Sequence, residues 1–498
     1  MTIDASENQS SNPTATETSR RMSSLIEGRL SRRGFVGGIA GAYGSFMIGC
    51  KDTSTSSPAT STVSQKSAKA VTFSYEEISR GIDETHHVAH NHEADIIIRW
   101  GDPLFADSPP FDPLNQTASA QQRQFGFNND FIGFVPLADN RGLLCVNHEY
   151  TSTKLMLPGV TENYPDSITA EHCLIEMAAH GGSIFEVKQE NGRWSPVVGS
   201  KYNRRITGNT TPMAISGPAA GHPRLQTKED PSGRLVAGTL NNCAGGITPW
   251  GTYLMAEENF NGYFIGELPE DHPETNNHKR YGVPRGWYQW GRYFDRYNVS
   301  KEPNEPNRYG WIVEVDPMDP DSRPKKRTAL GRFKHEGAES IIAPDGRLVV
   351  YMGDDQRFDY LYKFVSSRAV DLENKSSNLD LLDQGTLYVA KFFDTGAMEW
   401  LPLIFGDGPL TPENGFMSQA DVMIETRRAG DLLGATPMDR PEDVEPDAKT
   451  GRVWVMLTNN TSRKENNTNP ANPRANNCLL YTSPSPRDAT LSRMPSSA

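Results

Sequence analysis

The chain has 498 residues, with 50 Lys and Arg against 62 Asp and Glu, a formal charge of -12. An acidic excess of that size argues against a nucleic-acid partner, and no run of ~18 apolar residues is available to span a membrane as a helix. Gly and Pro make up about 16% of the chain, above the typical ~12%, while 22% charged residues is ordinary, so the body reads as turn-rich and globular rather than disordered or fibrous.

Near the N-terminus, Ser31-Arg32-Arg33-Gly34-Phe35-Val36 opens a Gly-rich, weakly apolar stretch that runs to Gly49. Twin arginines before such a stretch resemble a Tat export signal, which implies transfer of the folded protein by the Tat translocase. Met47-Ile48-Gly49-Cys50 resembles a lipoprotein box, with Cys50 as the lipid attachment site. Residues 1–50 therefore read as a signal and 51–70 as a flexible Ser/Thr-rich tether. The expected location is the periplasm or cell envelope, with a lipid anchor. A cut after Ala70, or a cytoplasmic chain with a basic arm, are the alternatives.

Four segments of the body share one grammar: an anchor rich in acid, Asn or Cys, a turn ending in Gly, a β-patterned strand and a polar cluster. They are 128–150, 241–259, 335–355 and 440–460. Their strands are rich in Val, Leu, Tyr and Trp between turn residues such as Asp345-Gly346 and Thr450-Gly451, as β-strands require. Repeated short strands at this long period suggest the blades of a β-propeller. Polar strand ends would then converge on one axial mouth. His148-Glu149, Glu257-Glu258 and Asp354-Asp355 gather carboxylates there, which repel one another unless protonated or bridged by cations. Oxygen ligands favour hard ions such as Ca²⁺.

One helix is expected over 168–180, opened by Thr169, Ala170 and Glu171 and stopped by Gly181-Gly182, with Cys173 packed on it. His86, His87, His90 and His92 read as a solvated loop before a strand at 96–98. At the far end, 478–488 and 492–498 resemble translated ends of a sequencing-library adapter, so 478–498 is expected to be foreign and the natural gene to continue past Asn477. Cys145, Cys173 and Cys243 then remain, and three cannot all pair. At least one free thiol follows, open to a ligand role although buried inert cysteines are commoner.

The motifs RWGDPLF (99–105), FGFNNDF (125–131), NHEYT (147–151), RRITGNTTPM (204–213), NNCAGGITPWGTYLMAEENF (241–260), GRFKHEGAE (331–339), YMGDDQRFDYLYKFV (351–365) and MDRPEDVE (438–445) resemble the PhoX-type alkaline phosphatases in order along the chain. The resemblance implies an all-β fold over 71–477, a β-propeller with short helical insertions, six-bladed when complete and truncated at the C-terminus here. It also implies hydrolysis of phosphate monoesters for phosphate acquisition, at an axial cluster of two Fe³⁺ and three Ca²⁺ around a bridging oxide.

Carried over motif by motif, Cys243 matches the iron-binding cysteine, and Glu258, Glu336 and Glu442 match carboxylate ligands. Arg440 matches the phosphate-facing arginine. Glu149, Asp354 and Asp355 are expected behind the ligands, at the rim of the cluster, or as direct ligands. A further ligand Asp of the family would lie beyond Asn477. Fe³⁺ accepts a thiolate, and arginine offers a permanently charged fork for phosphate. No GxxxxGK loop and no GxSxG nucleophile motif is present. The competing readings are a calcium-dependent propeller that hydrolyses a phosphodiester or a lactone, the lactone chemistry needing neither Cys243 nor Arg440, and a non-catalytic propeller cross-linked by cations.

Overall fold

The computed structural model describes residues 78–79, 84–160 and 164–477. The readings of the export signal, of Cys50 and the tether, and of 478–498 lie outside these residues. Residues 2–94 and 95–498 separate into two compact units. In the first, His86, His87, His90 and His92 are exposed.

The regular structure of the described residues from 95 to 477 is mostly sheet. The first sheet holds β1 (Asn129–Ala138), β2 (Arg141–His148), β3 (Gly181–Glu190), β4 (Arg193–Pro196) and β5 (Arg204–Ile206), ordered β1-β2-β3-β4 with β5 also on β3. The second holds β6 (Pro212–Ser216), β7 (Leu235–Ala237), β8 (Asn242–Ile247), β9 (Tyr253–Glu257), β10 (Ile312–Val315) and β11 (Lys325–Arg327), ordered β7-β6-β11-β10-β9-β8 with β6 and β11 parallel. The third is an antiparallel meander of β12 (Glu339–Ile342), β13 (Arg347–Gly353), β14 (Leu361–Ala369), β15 (Gly385–Phe392) and β16 (Met398–Pro402). β17 (Pro441–Pro446) and β18 (Val453–Leu457) pair as a hairpin.

The four expected segments are the hairpins β1–β2, β8–β9, β12–β13 and β17–β18. These hairpins touch in sequence: β8 packs on β1 and on β12, and β17 packs on β12 and β13. Missing side chains permit this approach. A Cβ on Gly246 would lie 2.2 Å from the Ala338 carbonyl oxygen, and one on Gly353 would lie 2.2 Å from that of Glu442. Behind the hairpins, a continuous apolar core includes Leu143, Ile184, Met255, Trp311, Phe333 and Tyr362. Its aromatic part stacks Tyr263 on Tyr288, with ring centroids 4.7 Å apart, and sets Trp290 and His180 against them.

α1 (Ala118–Gln121) and α2 (Thr153–Met156) are single turns. The helix expected over 168–180 is α3 (Ala170–Ala179). Thr169 and His172 close a capping box at its start, and Cys173 is buried. α4 (Thr275–Tyr281) lies in the long connection between β9 and β10; α5 (Gln419–Ile424) and α6 (Thr426–Leu433) precede β17. The strand expected at 96–98 does not form. Ile97 and Ile98 instead pack against Leu104, Phe125, Val146 and Phe185, so side-chain burial, not ladder pairing, holds that segment. Among the described residues no helix is long and apolar enough to cross a membrane.

Candidate metal centre

The same local device recurs in all four hairpins. Asn129 pairs with His148 and the next pair is Ile132 with Val146. Asn242 pairs with Glu257, then Gly245 with Met255. Pro441 pairs with Leu457, then Val444 with Val455. In the third hairpin His335 bridges Asp354, then Glu339 pairs with Tyr351. Each register step leaves one extra residue on the first strand, a β-bulge that re-aims a side chain. The residues opening the four bulges are Asp130, Cys243, Glu442 and Glu336.

A backbone hydrogen bond closes each bulge from the opposite strand. The N–H groups of Glu149, Glu258, Asp355 and Thr458 donate to the carbonyls of Asn128, Asn241, Lys334 and Arg440 at 3.1, 2.9, 3.1 and 3.3 Å. Asn128, Asn241 and Arg440 have φ of 55°, 51° and 53°, left-handed backbone that suits asparagine and is unusual for arginine.

Successive strand residues face opposite ways, so the paired polar residues at the strand ends split. The first member of each pair turns into the protein. His148 Nε2 lies 2.7 Å from Ser183 Oγ. Glu257 accepts from Lys326 Nζ at 2.6 Å and from the Gly310 and Trp311 N–H groups. Asp354 accepts from Arg427 Nε at 2.8 Å, from Arg427 Nη2 and from the Lys334 N–H. Asp354 is therefore not at the rim of the cluster, since buried Arg427 takes both its oxygens. Of the second members, Glu149 and Glu258 enter the donor sets around Cys243, and Asp355 accepts from Arg440.

Cys243 Sγ lies 3.1 Å from Glu336 Oε1 and 3.5 Å from Asp130 Oδ2. Donor atoms of Asp130, Glu149 and Cys243 all lie within 4.8 Å of one another, as do those of Cys243, Glu258 and Glu336. The two sets share the sulfur. Asn147 Nδ2 fixes the bulge beneath it by donating to the carbonyls of Cys243 and Ala244 at 2.6 and 3.0 Å. Arg440 forks onto Asp355 at 2.8 and 2.6 Å and reaches Glu442 at 3.1 Å. It is thus no isolated surface pair: Asp355 and Glu442 both act on Glu336 electrostatically, so the arginine adjoins the cluster.

Electrostatics mark these groups as incomplete without cations. Burial, followed by the charges of Glu258 and Glu336, pushes the Cys243 thiol far above its ordinary value. Burial and the charge of Glu336 raise Glu258 well above the usual carboxylate range. Burial and Asp355 push Glu336 up to about 9, burial and Asp130 push Glu149 up to about 7, and burial and Asp355 push Glu442 up to about 7. Burial also raises Asp130. A set of inward carboxylates with one thiol fits a multivalent cation cluster, because bound positive charge would favour the ionised form of every member.

A family model described as alkaline phosphatase PhoX matches residues 73–493. A solved structure, Pseudomonas fluorescens PhoX in complex with vanadate, a transition state analogue, is 44% identical with a TM-score of 0.75, over 78% of this chain and 69% of that one. None of the curated proteins matches the chain. The chain belongs to the PhoX family of alkaline phosphatases.

As a member, it is a metal-dependent phosphatase that acts on phosphate monoesters. Of the residues carried over from the family motifs, Cys243, Glu258 and Glu336 share one donor set. Glu442 and Arg440 meet beside it, and Glu149 enters the other set. Asp130 was not among them. Its signal was present, since Asn128-Asn129-Asp130 parallels Asn241-Asn242-Cys243, but nothing in the sequence says that the two bulges face one point.

Proposed function

We propose that this phosphatase works at a cluster of Fe³⁺ and Ca²⁺ ions. Cys243, Glu258 and Glu336 would hold the iron-containing part, with Asp130, Glu149 and Glu442 completing the oxygen donors. The observation that carries this reading is the pair of donor sets joined through one buried sulfur. Soft sulfur among hard oxygens suits Fe³⁺ better than Ca²⁺, while a surplus of carboxylates suits Ca²⁺. When bound, such cations supply charge for the phosphoryl oxygens and activate the attacking group.

The chain's own residues do the rest. Arg440 orients the phosphoryl group through a guanidinium held by Asp355, and its Nη1 makes no hydrogen bond among the described residues. Asp355 thus sets the direction of the fork. Asn128 Nδ2 donates to Glu149 at 3.3 Å and Asn259 Nδ2 donates to Glu258, which fix those carboxylates.

The convergence of four hairpins on one point supports the reading of the sheets as blades of a propeller. The twin-arginine and lipobox-like motifs support export by the Tat translocase, anchoring through Cys50, and a role in scavenging phosphate. The likeness of 478–488 and 492–498 to translated adapter ends supports reading that stretch as foreign. Hydrolysis of p-nitrophenyl phosphate that is lost with chelator and restored by adding Fe³⁺ and Ca²⁺ together is expected. Full recovery with Ca²⁺ alone would remove iron from the proposal.

A further inference from the structure

The four hairpins present equivalent positions to the cluster, and their chemistry is graded. The residue that follows the last paired residue on each closing side is Glu149, Glu258 and Asp355 in the first three and Thr458 in the fourth. Thr458 N–H is shared between the Asp439 and Arg440 carbonyls at 3.2 and 3.3 Å, and the second of these is the bond that the other three make, so its side chain leaves the backbone in the same sense as those carboxylates. The residues flanking the bulges run Asn128, Asn241, Lys334 and Arg440. With the bulge residue included and the thiol neutral, the first hairpin brings two negative charges and the fourth brings none.

An anionic substrate approaching this ring meets the least repulsion at the fourth hairpin. Thr458 is half-buried there and its hydroxyl makes no hydrogen bond among the described residues. A carboxylate at this position would repel a phosphoryl dianion, and an apolar side chain could not donate to one. Resting on the reading of the cluster as the phosphatase site, we infer that Thr458 is a further substrate-binding residue, whose hydroxyl donates to a phosphoryl oxygen beside Arg440. The bland alternative is a β-branched residue that only ends β18.

Vanadate and inorganic phosphate are the probes, titrated calorimetrically into the full chain loaded with metal. Thr458→Val keeps the shape and removes the donor, so vanadate binding should weaken about 10-fold or more, the range for a hydrogen bond to a charged group. Metal content and melting temperature should not change. Thr458→Ser should stay within about threefold of the parent, and Thr458→Asp, which copies the third hairpin, should abolish vanadate binding while retaining or gaining metal. Equal vanadate affinity in Thr458→Val and parent would overturn the role of Thr458 alone, as would a loss of metal in that variant that accounts for the weaker binding. A parent that holds metal but binds no vanadate would overturn the reading of the site, and this inference with it.

Discussion

Cys243 differs from the other described cysteines in its neighbours rather than in its burial. All three are buried and free. Cys145 faces apolar core, and Cys173 packs on α3, where burial pushes its thiol up to about 12. Only Cys243 meets carboxylates on more than one side. Cys243→Ser should therefore lose most bound iron and most activity while keeping its circular dichroism spectrum, and Cys145→Ser and Cys173→Ser should retain both. Elemental analysis of the three proteins decides the point; full iron in the serine variant at 243 would exclude the thiolate.

Arg440 tests the fork rather than the charge. Arg440→Lys keeps a cation beside Asp355 but loses bidentate geometry, so transition-state stabilisation should fall by roughly 1.5–3 kcal/mol, about 10- to 200-fold in kcat/KM. Metal content should hold. A surface pair with Glu442 would contribute only about 0–1 kcal/mol and tolerate either cation. Activity within about twofold of the parent, at matched metal, would remove Arg440 from the site.

Among the elements, the bulge and the glycine do complementary work. Each bulge aims one side chain at the cluster, and the glycines let neighbouring hairpins come close enough for those side chains to meet. Gly353 is the sharpest case, because a Cβ there would stand 2.2 and 2.3 Å from the carbonyl oxygens of Glu442 and Pro441, which are backbone atoms and cannot rotate away. Gly353→Ala should push β17 from β13, destabilise by about 1–3 kcal/mol and reduce kcat/KM, because Arg440 and Glu442 travel with β17. Melting and kinetics together read this. A variant with normal melting and normal kinetics would show that β17 is not seated through this contact.

For the whole molecule, the cluster couples stability to metal and pH. Without cations the carboxyls of Glu149, Glu442 and Glu336 have folded values of about 7, 7 and 9, above an ordinary 4.5. Groups raised in this way stabilise the fold fully below about pH 4.5, and that contribution is lost as pH rises through about 7 to 9. Bound cations oppose the loss by favouring the ionised forms, and they add stability through binding itself. The melting temperature of chelated protein should therefore fall further below that of metal-loaded protein as pH goes from about 5 to about 9. Scanning calorimetry of both forms across that range checks the sign, and a gap that narrows with pH would contradict it.

Much of the centre was legible before any coordinates. The repeat of anchor, glycine turn and strand marked the four hairpins, because strand patterning and turn chemistry are local and period two is written in the residues. The density of Glu and Asp at the strand ends announced cations for the same reason. The tertiary structure decided which member of each pair turns away from the candidate centre. Glu257 and Asp354 look like Glu258 and Asp355 in the sequence, yet they lie on the other face, where Lys326 and Arg427 neutralise them. Those partners are 69 and 73 residues distant along the chain. Asp130 likewise became a donor only when its bulge and that of Cys243 met across β1 and β8. Local physics sets the direction in which a side chain leaves the backbone, but what it then meets depends on packing between strands far apart in sequence.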